Sequence, residues 1–268
     1  MPVDLSTDDP VIAPRSLYVP EPWPDAPFVV YGIGHSGAGA APWRSVAAQL
    51  GADAELRAHR LPGRENRLAE AAFPAVESAA AELAAAILAA VREDERPFLV
   101  AGVCAGAVIG RVALDLIASQ GPSTVVGRAL GLVVCDQTAP TTPATPLSGL
   151  PTAELRAWLR DHGGTPQQLL DDERVFAFLE PVLRADLAMV ESYEHGLEPL
   201  GLPLYLVRMA ARTDEDIDLE RWREDAGAAF HVIEAPFAGN ALTEYPDELA
   251  QVLRDAWALG ADASAAGR

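Results

Sequence analysis

The sequence predicts an α/β fold: a mostly parallel sheet with helices on both faces, broken by an inserted helical lid. Three observations predict it. Short apolar runs alternate with longer helical patterns along most of the chain. One run, "PFLVAGV" at 97–103, passes directly into a Gly-x-Cys-x-Gly turn and a helix of small residues. The alternation lapses between about 148 and 200, where helical segments follow one another with no strand between them. In an α/β sheet such an insertion reads as a lid.

The elements follow in order. Residues 1–25 are acidic and Pro-rich and read as an extended leader. "FVVYGI" at 28–33 is a buried strand, and the Gly-rich loop "GHSGAGAAPW" leads into a helix at about 42–50. "AELRAHR" at 54–60 is a second strand, ending at "LPGRENRL". Residues 75–93 are rich in Ala and Leu without Gly or Pro, which predicts a helix. The strand at 97–103 and its turn precede a helix to about 119, and "RALGLVVCD" at 128–136 is an apolar strand closing on an acid. After the lid, a strand at 202–210, a helix at 217–227, a strand at 229–235 and a helix at 245–259 restore the rhythm. The domain is expected to span 26–260, with a disordered tail at 261–268.

Composition narrows the function. The chain has 268 residues, half of them hydrophobic, enough for one large core with a small cap. It carries 39 acidic and 20 basic residues, a net charge of −19. That balance disfavours nucleic acid and anionic membrane surfaces as partners. No apolar run approaches the ~20 residues of a membrane span, and the N-terminus lacks the order of a signal peptide. Cys104 and Cys135 are expected as reduced thiols in a cytoplasmic protein. There is no Cys/His metal spacing, no phosphate loop and no dinucleotide fingerprint, so no bound metal or cofactor is implied.

The chemistry centres on "GVCAG" at 102–106. A strand–turn–helix elbow lifts its central residue to the C-terminal edge of the sheet, where helix and strand nearly touch and neighbours must be small. Gly102, Ala105, Gly106 and Ala107 meet that need. The helix N-terminus presents N–H groups and partial positive charge, which favours a thiolate at Cys104. An oxyanion hole in such a site takes the N–H of the residue after the nucleophile, Ala105, and another from a loop after an earlier strand. Ser36 in "GIGHSGAG" is the candidate for the second. Asp136, directly after an apolar strand, is favoured as the acid over Asp214 and Asp216 in "RTDEDID". Arg64, Glu65 and Arg67 read as a solvated loop, ahead of a loop closed by ion pairing near the site or a docking point for a partner. Trp158, Phe176, Phe178 and Tyr193 are expected on the inner face of the lid.

Taken together, "GHSGAG", "LPGRENRL", "GVCAG", "HGGTPQQLL" and "PVLRADLAMVESY" resemble the stand-alone, type II thioesterases of polyketide and nonribosomal peptide pathways, within the α/β-hydrolase superfamily. The resemblance covers about residues 28–258. It implies an acyl chain presented as a thioester on the phosphopantetheine arm of an acyl or peptidyl carrier protein, with no further cofactor. It also implies oxyanion N–H groups at Ser36 and Ala105 and attack by Cys104. Two departures stand out. Hydrolytic members of the family usually have Ser at the position of Cys104. Their basic His, just after the last strand, is replaced here by Gly239 or Asn240 in "EAPFAGNALTE". Of the five histidines, only His35 or those of the lid, His162 and His195, lie where they could reach the site; His59 and His231 belong to strands.

The departures fit each other. A thiol with an ordinary pKa of about 8.5 can ionise beside a helix N-terminus without a histidine, whereas a hydroxyl cannot. Water needs a general base, worth about 10²–10⁴-fold. The expectation is therefore acyl transfer or ring-forming release, as in Cys-dependent thioesterase-like cyclases that perform Dieckmann condensation. Asp136 or Asn240 would orient the substrate's nucleophile. The alternatives are editing hydrolysis, with Asp214 and another base, and a scaffold or cavity-only isomerase or pericyclase on the same fold.

Overall fold

The computed structural model describes residues 15–139, 146–162, 165–194, 198–210, 213, 217–227 and 229–266. Its centre is a seven-stranded sheet in the order β1-β3-β2-β4-β5-β6-β7. The strands are β1 (Leu17–Tyr18), β2 (Val29–Ile33), β3 (Glu55–His59), β4 (Phe98–Val103), β5 (Ala129–Cys135), β6 (Leu204–Met209) and β7 (Phe230–Ala235). Strands β2–β7 pair in parallel, and β1 lies antiparallel to β3 with Leu17 opposite His59.

The central strands β2, β4 and β5 are buried on both faces, as their near-continuous apolar sequences require. Along β2, Val29, Tyr31 and Ile33 point to one core and Val30 to the other. The first core packs against α2 (Val76–Ala90), α3 (Ala105–Gln120) and α8 (Leu219–Ala226). The second packs against α1 (Trp43–Leu50) and α9 (Pro246–Ala266). A single helical turn, α4 (Ser123–Val126), bridges α3 and β5.

The lid consists of α5 (Thr152–His162), α6 (Gln167–Asp171) and α7 (Glu173–Glu191). It has its own small core of Leu155, Leu159, Leu170, Phe176 and Leu183. Asp172 caps α7, its carboxylate accepting the N–H groups of Arg174 and Val175.

Three expectations change. Part of the presumed leader is ordered as strand β1. The last helix continues to Ala266, through the expected tail. Of the four lid aromatics, Phe176 is buried in the lid core and Trp158 packs against it. Phe178, however, is 62% exposed, and Tyr193 packs on the core beneath α2 and α3. Phe178 lies two residues from Phe176 on a helix, which turns it to the opposite face. Among the described residues no helix is long and apolar enough to cross a membrane.

Candidate active site

Strand β4 ends at Val103, and α3 begins at Ala105. Cys104 between them has φ 52° and ψ −125°, a backbone conformation that costs a non-glycine residue about 1–3 kcal/mol. Its N–H donates to the Cys135 carbonyl at 2.8 Å, and its carbonyl accepts the Ala107 N–H at 2.8 Å. The elbow's glycines are dictated by contact. A Cβ on Gly102 would lie 2.3 Å from the Ala107 backbone, and one on Gly106 would lie 2.4 Å from the Ile33 carbonyl oxygen. The first N–H groups of α3, including that of Ala105, have no intrahelical acceptor. Cys104 is partly exposed, whereas Cys135 is buried. Burial, reinforced by the charge of Asp136, pushes the Cys135 thiol up and leaves it inert.

The loop after β2 carries His35 and Ser36 to the same place. The His35 Nδ1–H donates to the Ser36 carbonyl at 3.0 Å, which leaves Nε2 as the lone-pair nitrogen. Nε2 accepts from the Asn240 amide at 3.2 Å. Asn240 is itself fixed: its Oδ1 accepts the N–H groups of Leu242 at 3.0 Å and Thr243 at 3.3 Å. Asn240 is 6% exposed. Asp136 follows β5 with φ 51°, so two neighbouring strand ends carry left-handed, non-glycine residues.

These groups share one cavity of about 170 Å³. Cys104, His35, Ser36, Asp136 and Asn240 form its polar wall, and Trp158, Leu159, Leu183 and Leu187 of the lid form an apolar wall. Asn240 faces this cavity and Gly239 is absent from its lining, which decides between the two positions left open by the sequence. Among the described residues His35 is the histidine brought to the site, and its lone pair is engaged by Asn240. His59 is bound to Glu82 at 3.0 Å, and His231 stacks on Tyr205. His195, the His162 side chain, Asp214 and Asp216 lie outside the described residues. Among the described residues no cluster of His, Cys, Asp and Glu is suited to a metal ion.

The favoured reading of a solvated loop gives way to the ion-paired one: Arg64 and Arg67 form a buried ion-pair hub. Arg64 and Arg67 are 7% and 5% exposed. Arg67 donates to Glu70 and Glu82, and Glu65 accepts from Arg60 and from the Ala41 N–H. Arg64 pairs through both terminal nitrogens with Asp186 of the lid, at 2.7 Å each. Asp186 was missed in the sequence, although a signal is there. It sits on the buried stripe of α7 with Phe176, Leu183 and Met189, where an acid requires a buried partner.

Burial lowers the pKa of His35, with Arg64 adding to the shift and the Ser36 carbonyl, Asp136 and Asp186 opposing it. The unfolded chain therefore takes up this proton first, as pH falls past 6.5. Stability from His35 is full above 6.5 and declines as pH drops towards the lower folded value. Asp94, held at about 2 chiefly by the Arg96 guanidinium, acts only below 3.8. The urea midpoint should thus start to fall just below pH 6.5, well before the carboxylate limb. His35→Asn should abolish that first decline and keep the second.

Comparison with known proteins gives a consistent picture. Residues 29–255 match the thioesterase domain family. The protein named linear gramicidin dehydrogenase LgrE, of Brevibacillus parabrevis, is 27% identical over 227 residues, 81% of this chain and 83% of the relative. The medium-chain S-acyl fatty acid synthase thioesterase of Rattus norvegicus is 26% identical over 214 residues, 78% of this chain and 79% of the relative. The RedJ thioesterase of the prodiginine pathway in Streptomyces coelicolor superposes with a TM-score of 0.72 at 25% identity, covering 87% of this chain and 90% of that one. Since the matched span takes in all six parallel strands and the lid, the chain belongs to the thioesterase domain family and has the α/β-hydrolase fold.

Proposed function

We propose that Cys104 captures an acyl group from the phosphopantetheine thioester of an acyl or peptidyl carrier protein and delivers it to a nucleophile other than water. The Cys104 sulfur attacks the thioester carbonyl carbon. The N–H groups of Ser36 and Ala105 hold the oxyanion of the tetrahedral intermediate. The bond from carbon to the pantetheine sulfur breaks, and that sulfur leaves with the proton surrendered by Cys104. One thioester replaces another, so the step is nearly thermoneutral. An amine, a thiol or a carbon acid of the same chain then attacks the acyl-Cys104 carbonyl. The new bond forms, the bond to Cys104 breaks, and the thiol is restored. When the nucleophile belongs to the acyl chain, the product is a ring, as in a Dieckmann closure. Asp136 and Asn240 orient that nucleophile from the polar wall.

The observation that carries this reading is Asn240. The residue facing the cavity beside Cys104 is an amide with its oxygen occupied by two backbone N–H groups, and an amide is not a general base for water. The relatives' names speak of linear gramicidin, of the prodiginine biosynthetic pathway and of a fatty acid synthase, which supports a carrier-bound acyl substrate. Two of those names also contain the word thioesterase, which favours hydrolysis as the second reading.

The two separate in one experiment. The protein is mixed with a short acyl-pantetheine and followed by intact mass. The expected result is an acyl adduct that persists, with free acid appearing slowly, and no adduct on Cys104→Ala. Rapid steady-state release of free acid would establish hydrolysis instead. Absence of any adduct would leave a non-catalytic protein.

A further inference from the structure

The hydrogen bonds around Asp186 join three parts of the molecule at one point. Asp186 is a lid residue, 4% exposed, on α7. Its Oδ2 accepts the backbone N–H of Gly37 at 2.7 Å. Arg64, from the loop after β3, grips the same carboxylate and also donates to the Ala38 carbonyl at 2.9 Å. Gly37 directly follows Ser36. Gly37 has φ 77°, and a Cβ there would meet Leu183 of the lid at 3.3 Å, so loop and lid helix are in close contact.

The peptide unit linking Ser36 to Gly37 is therefore held at both ends. Its oxygen accepts from His35 Nδ1, and its N–H donates to Asp186. Fixing that plane restricts the backbone torsions of Ser36, which relate it to the neighbouring plane that carries the Ser36 N–H. One anchor, His35, belongs to the loop itself. The other arrives only with the lid.

We propose that Asp186 is a positioning residue for the oxyanion hole, coupling closure of the lid helix to the orientation of the Ser36 loop. With α7 seated, the Gly37 N–H is bound and the Ser36 peptide is held at the cavity wall. With α7 lifted, Gly37 loses its acceptor, and the Ser36 peptide is free to turn. Substrate that draws the lid down thereby completes the machinery that acts on it, a form of induced fit. Arg64 serves the same end by neutralising a carboxylate that must be buried to reach the loop. The inference rests on the reading of Cys104 as an acyl acceptor and Ser36 as an oxyanion donor.

The test exploits two reactions of one sulfur. Acylation by an acyl-pantetheine passes through an oxyanion, whereas alkylation by iodoacetamide does not. Asp186→Leu alone would strand the Arg64 charge, so the pair is replaced together. Apolar replacement of a buried ion pair is often neutral for stability. The variant Arg64→Met with Asp186→Leu should acylate Cys104 about 10–100-fold more slowly at saturating acyl-pantetheine, with the alkylation rate unchanged. Arg64→Met with Asp186→Asn returns an acceptor to the Gly37 N–H and should recover most of the acylation rate. Equal acylation by wild type and both variants overturns the proposal, as does a parallel loss of alkylation in the leucine variant. Failure of the wild type to acylate defeats the underlying reading of Cys104 instead.

Discussion

Asn240→His should raise the release of free acid from acyl-Cys104 by about 10²–10⁴-fold, the range over which a positioned general base accelerates attack by water. The argument starts from hydrogen-bond capacity. The Asn240 Oδ1 is taken by Leu242 and Thr243, and its Nδ2 is a donor that binds His35 Nε2. None of these atoms can accept a proton from water at neutral pH. An imidazole on the same backbone faces the same cavity and carries a basic lone pair. Two backbone N–H groups lose their side-chain acceptor, at a cost of about 1 kcal/mol each, so the variant should be less stable while hydrolysing faster. Single-turnover release of acid from preformed acyl-protein measures the effect. A variant that folds, acylates and then holds its acyl group as long as the parent would show that the missing base does not limit water.

Asp225→Ala should cost about 3–5 kcal/mol of folding free energy, a fall in melting temperature of roughly 6–20 °C. Arg111 lies on α3, the helix whose first turn carries the elbow, and is fully buried. Its Nε and Nη2 donate to the Asp225 carboxylate at 2.7 and 2.9 Å, and Nη2 also reaches the Glu198 carbonyl at 2.7 Å. Asp115, at 3.8 Å, is the nearest other carboxylate. Removing Asp225 leaves a guanidinium charge in the core with a carbonyl and a distant acid for company. Replacing both partners, Arg111→Met with Asp225→Leu, removes the charge as well and should recover most of the loss. Urea midpoints of the three proteins decide the matter. If the single variant loses no more than the double, the ion pair contributes little.

Much of the fold was legible because β2, β4, β5 and β6 are mainly apolar runs of five to seven residues and helical patterns separate the strands. Strand β1 was not, because two residues carry no periodicity and their pairing with β3 is decided by the tertiary structure. The C-terminal end misled in the other direction: the helix expected to end at 259 runs to Ala266, through Gly260, where a Cβ would come within 2.8 Å of the Tyr205 hydroxyl. The glycine admits a close contact rather than ending the helix. The same division holds in the site. Cys104, Ser36 and Asp136 stand in local motifs at strand ends and Asn240 after the last strand, and these four line one cavity. The Arg64–Asp186 link could not be read locally, since its partners are 122 residues apart, and the apolar stripe of α7 marks Asp186 as buried without saying which cation it meets.

The bond between His35 and Asn240 spans 205 residues. On the ribosome, elongating at about 5–20 residues per second, Cys104 emerges roughly 7–27 seconds ahead of Asn240. Throughout that interval Cys104 is present in a chain that cannot yet close the wall Asn240 completes. The cavity around the sulfur is thus among the last parts of the molecule that synthesis can finish.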